Sequence, residues 1–171
     1  MGPRPIVQVS PRAAILVVGQ APGRRVHESG IPFDDPSGDR LREWLGVDRD
    51  TFYDPRRIGI LPMGFCYPGT GRSGDLPPRP ECAPAWRESL LAALRHVKLT
   101  VVLGRYAQAW HLDPVPASVT DAVQAWETYW PTHVPLPHPS ARNQRWFKAN
   151  PWFATGVLPR LRARVAKLLD A

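Results

Sequence analysis

The sequence has few cysteines, no long apolar run and no cluster of metal ligands, and each absence excludes a class of protein. The two cysteines, Cys66 and Cys82, are too few to hold together a secreted disulfide-rich fold. No apolar run reaches the length of a membrane span, and residues 1–10 lack the basic start and apolar core of a signal peptide. We therefore expect a cytoplasmic protein with no membrane partner.

The charge of the chain is strongly unbalanced. Its 171 residues include 22 Lys and Arg against 15 Asp and Glu, which gives a formal net charge of +7. Such an excess favours a polyanionic partner, because phosphate contacts release condensed counterions. An arginine-rich surface that only keeps the protein soluble is the alternative. Composition alone leaves both interpretations open.

Short apolar runs alternate with helical patterns along the chain. The runs span residues 13–18, 58–61, 100–103 and 134–136. The helical patterns span residues 37–46, 84–96, 105–111, 118–129 and 157–169. Strands separated by helices predict a parallel sheet covered on both faces. We therefore predict one α/β domain over residues 1–171, a three-layer α/β/α sandwich around a central four-stranded, mainly parallel sheet.

One connection, over residues 62–84, is rich in proline and too long for a plain linker. Long loops in compact domains often carry function.

Two polar loops follow predicted strands. The first is Gly19-Gln20-Ala21-Pro22-Gly23, whose glycines allow backbone N–H groups to face a ligand. The second is His138-Pro139-Ser140-Ala141-Arg142-Asn143, whose side chains suit phosphate contact and stabilisation of an anion. Parallel strands end at one edge of a sheet, so the loops can meet where open α/β folds build their sites. The alternative for the first loop is a turn without chemistry, and the alternative for the second is a His-Pro turn capped by serine.

A third segment, residues 31–39, precedes a predicted helix. Ser37 or Asp35 could cap a helix that begins near Gly38, and Asp39 suits the positive end of that helix. Asp35 could instead lie in a cleft beside the ring of Phe33.

These segments resemble the uracil-DNA glycosylase superfamily over most of the chain. The loop GQAPG resembles that of a bacterial branch, and HPSARN resembles that of the single-strand-selective branch. Residues 30–33 are similar to a Gly-x-Pro-Phe segment whose Phe stacks on uracil. Residues 35–39 are similar to an Asp-x-Ser-Gly-Asp segment whose first Asp supports catalysis. Residues 99–107 resemble the family's apolar strand followed by Leu-Gly-x-x-Ala.

The resemblance implies a monofunctional hydrolase of base-excision repair that flips a damaged nucleotide out of DNA. The substrate would be single- or double-stranded DNA that contains uracil, and the enzyme would act as a monomer. His138 would stabilise the departing base, and Asp35 or Gln20 would position the water. The residues implied in base binding are Ala21, Pro22, Gly23 and Phe33. Those implied in DNA contact are Ser140, Arg142, Asn143 and Arg145.

The sequence also departs from the family pattern. Ala21 stands where classical members carry a water-activating Asp and others an Asn, and no Asn follows residues 58–61 to read uracil. Cys66 and Cys82 are spaced like the second half of an iron–sulfur set whose first pair is missing. Because four thiolates normally hold such a cluster, we expect no cofactor and no metal. A non-catalytic DNA-binding module, or a nucleotide-binding enzyme unrelated to repair, remain alternatives.

Overall fold

The computed structural model describes residues 2–171 and is built around a four-stranded parallel sheet. In chain order the strands are β1 (Ile15–Val18), β2 (Ile58–Ile60), β3 (Thr70–Gly71), β4 (Gly74–Asp75), β5 (Leu99–Leu103) and β6 (His133–Leu136). The sheet has the order β2-β1-β5-β6, and every neighbouring pair in it is parallel. Strands β3 and β4 form a separate antiparallel hairpin. Met1, where the predicted domain starts, lies outside the described residues.

Helices connect the strands and cover the sheet. They are α1 (Arg24–Ser29), α2 (Pro36–Leu45), α3 (Arg49–Phe52), α4 (Cys82–Ala93), α5 (Gly104–His111), α6 (Val119–Gln124), α7 (Gln144–Ala149) and α8 (Leu158–Leu169). Among residues 2–171, no helix combines the length and the apolar character that crossing a bilayer requires.

The sheet separates two apolar cores, because alternate residues of a strand point to opposite faces. On one face Ile15 and Val17 of β1 pack in a cluster with residues of α2 and α8, including Leu41 and Leu161. On the other face Leu16 and Val18 pack in a cluster with residues of α4 and α5, including Ala83 and Ala107. The predicted three-layer α/β/α sandwich around a parallel sheet is thereby confirmed.

Several local predictions differ from the structure. The helix predicted over 118–129 ends at Gln124, and a short 3-10 helix follows at Trp126–Thr128, where the buried Trp126 packs edge-on against Trp130. Helices α1, α3 and α7 were not predicted, because four to six residues are too few to display a helical period. The β3–β4 hairpin in the proline-rich connection was not predicted either, because strands of two residues are too short to display a period.

The topology creates a crevice at the carboxyl edge of the sheet. From β1 the chain goes to β2 on one side, and it then returns to β5 on the other side. The strand order therefore reverses beside β1, and in open α/β sheets the ligand site lies at such a reversal. The polar loops after β1 and β6 both end at this edge.

Candidate active site

A cavity of about 400 Å³ opens at the carboxyl edge of the sheet, a size within the usual range of small-molecule sites. All the predicted site residues line it except Arg145, which is exposed on α7. The loop after β1, the segment before α2 and the loop after β6 are thus brought together as the sequence predicted. The long connection over 62–84 contributes residues that the sequence did not single out, including Pro62, Asp75 and Leu76.

Phe33 forms one wall of the cavity in an unusual backbone conformation. Its φ of 56° lies in the left-handed region, which is rare for a residue other than glycine and typically costs about 1–3 kcal/mol. The ring approaches Gly19 of the loop after β1, where an added methyl group would lie 3.7 Å from the ring's Cζ. Behind it, the ring meets Phe52 edge-on, with 6.1 Å between centroids. The flat ring therefore has a fixed position.

A hydrogen-bond network holds the backbone of Phe33 in this conformation. The buried Arg42 of α2 donates from Nη1 to the carbonyl oxygen of Phe33, at 3.3 Å, and from Nη2 to Asp39 Oδ1, at 2.7 Å. The hydroxyl of Tyr53 donates to the carbonyl oxygen of Pro32, at 2.8 Å, and burial raises the pKa of this hydroxyl. Gly38 is required for close approach, since an added methyl group would overlap the carbonyl oxygen of Phe33.

Asp35 combines the two roles that the sequence left open. It is the N-cap of α2, where its Oδ1 accepts a hydrogen bond from the Gly38 backbone N–H at 2.9 Å. It also lines the cavity. One carboxylate oxygen thus fixes the start of the helix, and Oδ2 is left available to a ligand or a water molecule. Ser37, the other predicted cap, lines the cavity without capping the helix.

His138 carries a defined proton arrangement. Its Nδ1 accepts a hydrogen bond from the Ser140 backbone N–H at 3.2 Å, so the proton of the neutral ring is on Nε2. Burial lowers the pKa of His138, and the negative charges of Asp35 and Asp75 oppose this shift. The Asn143 amide nitrogen donates to the His138 carbonyl oxygen at 2.8 Å. That amide therefore stabilises the loop, and the imidazole is a neutral donor through Nε2.

The β3–β4 hairpin joins the two polar loops across the mouth of the cavity. The Gln20 amide nitrogen donates to the Leu76 carbonyl oxygen at 3.3 Å, and Arg142 Nη1 donates to the Ser73 carbonyl oxygen at 3.3 Å. The hairpin also brings in Asp75, whose Oδ2 would lie 3.5 Å from a methyl group on Gly23. The glycine-flanked turn Gly71-Arg72-Ser73-Gly74 was the sequence signal that could have revealed this hairpin.

The wall next to β2 lacks an amide side chain, as the sequence indicated. Pro62 lines the cavity there, and the Met63 N–H donates to the Gly19 carbonyl oxygen at 2.8 Å. Within residues 2–171, no three His, Cys, Asp or Glu side chains are grouped as a metal site would need. Cys66 and Cys82 are free and partly buried.

We predict that Gly38→Ala lowers the free energy of unfolding by about 1–3 kcal/mol, because the methyl group overpacks against the Phe33 carbonyl. Urea denaturation measures this change. Gly156→Ala is the matched control, since a methyl group there would meet nothing within 4 Å. Equal stability of the two variants would contradict the close approach of Gly38 to Phe33.

We also predict that His138 titrates below the ordinary histidine value of 6.5, so that the ring stays neutral at pH 7 and is protonated only as pH falls through the lower value. NMR of the imidazole nitrogens should show the proton on Nε2. Asp35→Asn and Asp75→Asn should each lower the pKa of His138 further, because each removes a negative charge that stabilises the imidazolium. A higher pKa in either variant would refute this electrostatic arrangement.

Two comparisons with known proteins identify the family and support the fold. A family model described as the uracil DNA glycosylase superfamily matches residues 6–162. The chain is also similar to a solution NMR structure from Methanosarcina acetivorans, of a protein described as a candidate uracil DNA glycosylase. That similarity has 16% sequence identity and a TM-score of 0.50, over 91% of this chain and 94% of the other, and it supports the fold. With the family match spanning nearly all of the sheet, helices and cavity, this chain belongs to the uracil DNA glycosylase superfamily.

Proposed function

We propose that this protein removes uracil, or a related deaminated base, from DNA by hydrolysing the N-glycosidic bond. The observation that carries the proposal is the neutral His138, which has its proton on Nε2 and lines the same cavity as Phe33 and Asp35. A hydrogen-bond donor, an aromatic ring and a carboxylate are what base excision needs in one place. We also propose that the chain acts as a one-domain monomer in the cytoplasm.

The first step is extrusion of the damaged nucleotide into the cavity, because the reacting bond is inaccessible in a stacked duplex. Phe33 stacks on the base, and such stacking typically contributes about 1–3 kcal/mol per base. Backbone N–H groups of Gln20, Ala21 and Gly23 bind the carbonyl oxygens of the base, since Pro22 has no N–H to donate. Gly23 is the N-cap of α1 and provides no side-chain cap, so N–H groups at this end need a partner from outside the helix.

The chemical step separates charge. The bond between N1 of the base and C1′ of the sugar breaks, and its electron pair goes to the base, which becomes an anion. Water adds to the cationic C1′, and the proton that it loses neutralises the base. His138 donates from Nε2 to the O2 atom of the departing base, where the negative charge gathers. A preorganised donor of this kind is typically worth about 3–4 kcal/mol, roughly 100- to 1000-fold in rate.

Two side chains are candidates for positioning the attacking water. Asp35 has Oδ2 available and supplies a negative charge beside the cationic sugar. Gln20 donates one amide N–H to the Leu76 carbonyl oxygen, which leaves its amide oxygen and its second N–H to position water. Asp35 is the stronger candidate, because it stabilises the cation as well as orienting the water. Ala21, in the position of the family's usual water-activating residue, has no polar side chain for this task.

We predict that the purified protein releases uracil from an oligonucleotide and leaves an alkali-labile abasic site, and that the activity persists in EDTA. Uracil, hypoxanthine and xanthine should each be tested in single- and double-stranded DNA.

His138→Ala should slow single-turnover release by about 100-fold or more while DNA binding survives, because the donor acts as charge develops. Asp35→Ala should also be slow, and Asp35→Asn should retain part of the rate if the side chain chiefly positions water.

Two outcomes would overturn parts of this proposal. If no base is released from any substrate while DNA is still bound, the protein is a non-catalytic DNA-binding module. If Asp35→Ala reacts at the wild-type rate and Gln20→Ala is inactive, Gln20 positions the water.

Binding to undamaged DNA should weaken steeply with salt, since Arg142 and Arg145 are exposed beside the cavity loop and would contact phosphates. Arg145→Ala should reduce the slope of log affinity against log salt by about 1. Arg12→Ala is the matched control, because the exposed Arg12 precedes β1 and so lies at the opposite edge of the sheet. A slope near zero in the wild type would exclude phosphate contacts as the basis of binding.

A further inference from the structure

Arg87 of α4 is a fully buried cation beneath the cavity wall. Its exposed fraction is 0%, and it is the largest fully buried side chain among the described residues. Burying a charge costs several kcal/mol even after the protein relaxes, so such residues are normally paired with an acid. Within residues 2–171, no ion pair includes Arg87. Its retention as an uncompensated charge calls for a physical reason.

The hydrogen bonds of Arg87 lead to the cavity wall. Nη1 donates to the Pro62 carbonyl oxygen at 2.9 Å, and Nη2 donates to the Leu61 carbonyl oxygen at 3.0 Å. Nε donates to His111 Nε2 at 2.8 Å. Pro62 lines the cavity, so the guanidinium lies one carbonyl group behind the wall. We call Arg87 with these three acceptors the Arg87 clamp.

The charge of the clamp is not cancelled by its histidine. Burial, followed by the charge of Arg87, lowers the pKa of His111 to about 3, so His111 is neutral at pH 7. Burial also lowers the pKa of Arg87, to about 10, which still leaves the guanidinium positive at pH 7. The clamp therefore carries one net positive charge in a region of low dielectric, where charges act more strongly than in water.

We propose that Arg87 is a positioning residue for base release, which fixes the Pro62 wall and whose buried charge stabilises the anion of the departing base through that wall. This inference rests on the proposed function, because it needs a base that leaves as an anion. It accounts for the missing acid partner, since a carboxylate beside Arg87 would cancel the charge. It also gives the wall at Pro62, which has no amide side chain, a means to favour the reaction.

Two substitutions at His111 test the charge without removing Arg87. His111→Glu places a carboxylate beside the guanidinium, whereas His111→Gln offers a neutral acceptor of the same length. Single-turnover release is measured for uracil and for 5-fluorouracil at the same position of one oligonucleotide. The fluorinated base leaves as a more stable anion, because fluorine withdraws electrons, and it depends less on added stabilisation. Circular dichroism melting checks that both variants fold.

We expect His111→Glu to release uracil roughly 10-fold more slowly than His111→Gln, because the added carboxylate cancels the positive charge of Arg87. The loss should be smaller for 5-fluorouracil, and affinity for the oligonucleotide should be unchanged. Arg87→Gln, which removes the charge and keeps amide N–H donors for the Leu61 and Pro62 carbonyl groups, should also slow uracil more than 5-fluorouracil. This variant decides the question if His111→Glu does not fold.

Three results would overturn the inference, and they can be told apart. Equal uracil release by His111→Glu and His111→Gln would show that the charge has no role. Equal slowing of both bases would show that the clamp acts by packing alone. Wild-type protein that releases neither base would refute the proposed function, and this inference with it.

Discussion

Carbonyl groups around the cavity need hydrogen-bond donors, because the sheet ladder stops where the strands end. Three of the few buried polar side chains supply them. Arg42 bonds to the Phe33 carbonyl, Arg87 to those of Leu61 and Pro62, and Gln108 to those of Val102 and Leu136, at 3.4 and 3.1 Å. Arg42 of α2 and Arg87 of α4 thus hold residues that line the cavity from both faces of the sheet, and Gln108 of α5 bonds to strand residues of β5 and β6. The geometry of the cavity depends on this arrangement.

This arrangement lowers the free energy of unfolding and makes the site rigid. The left-handed Phe33 and the unpaired Arg87 each raise the free energy of the folded state relative to an ordinary loop or an apolar core residue. The surrounding hydrogen bonds nevertheless hold Phe33 and Arg87 each in one conformation. A site that must separate charge benefits from groups already in place, since no reorganisation is then needed during the reaction.

The sequence predicted the parts of the molecule that local patterns determine. The four sheet strands are short apolar runs, and Gln20 and His138 lie in loops after two of them, so their meeting at one edge follows from parallel topology. The resemblance to the family, and not the topology, indicated Phe33 and Asp35. The hairpin that carries Asp75 was missed because its strands have two residues each, which is too short for any periodicity.

The hydrogen-bond donors behind the cavity could not be predicted from the sequence, for a different reason. On α4, Trp86 is 59% exposed and Arg87 is fully buried, which is the reverse of what hydrophobicity predicts for the two residues. No pattern within the helix signals that inversion. It arises because two carbonyl groups, more than twenty residues away in the chain, lie where an apolar side chain could not satisfy them.

Fixed charges of both signs lie at the cavity, and the proposed reaction can use them because it separates charge. Carboxylates of Asp35 and Asp75 line the cavity itself, and the cation of Arg87 lies behind the wall at Pro62. Breaking the glycosidic bond leaves a positive sugar and a negative base, so negative charge is useful near the first and positive charge near the second. The net charge of +7 attracts DNA as a whole, but it cannot distinguish the two fragments. A charge with a fixed position can favour one fragment over the other, as we propose for Arg87 and the anion of the departing base.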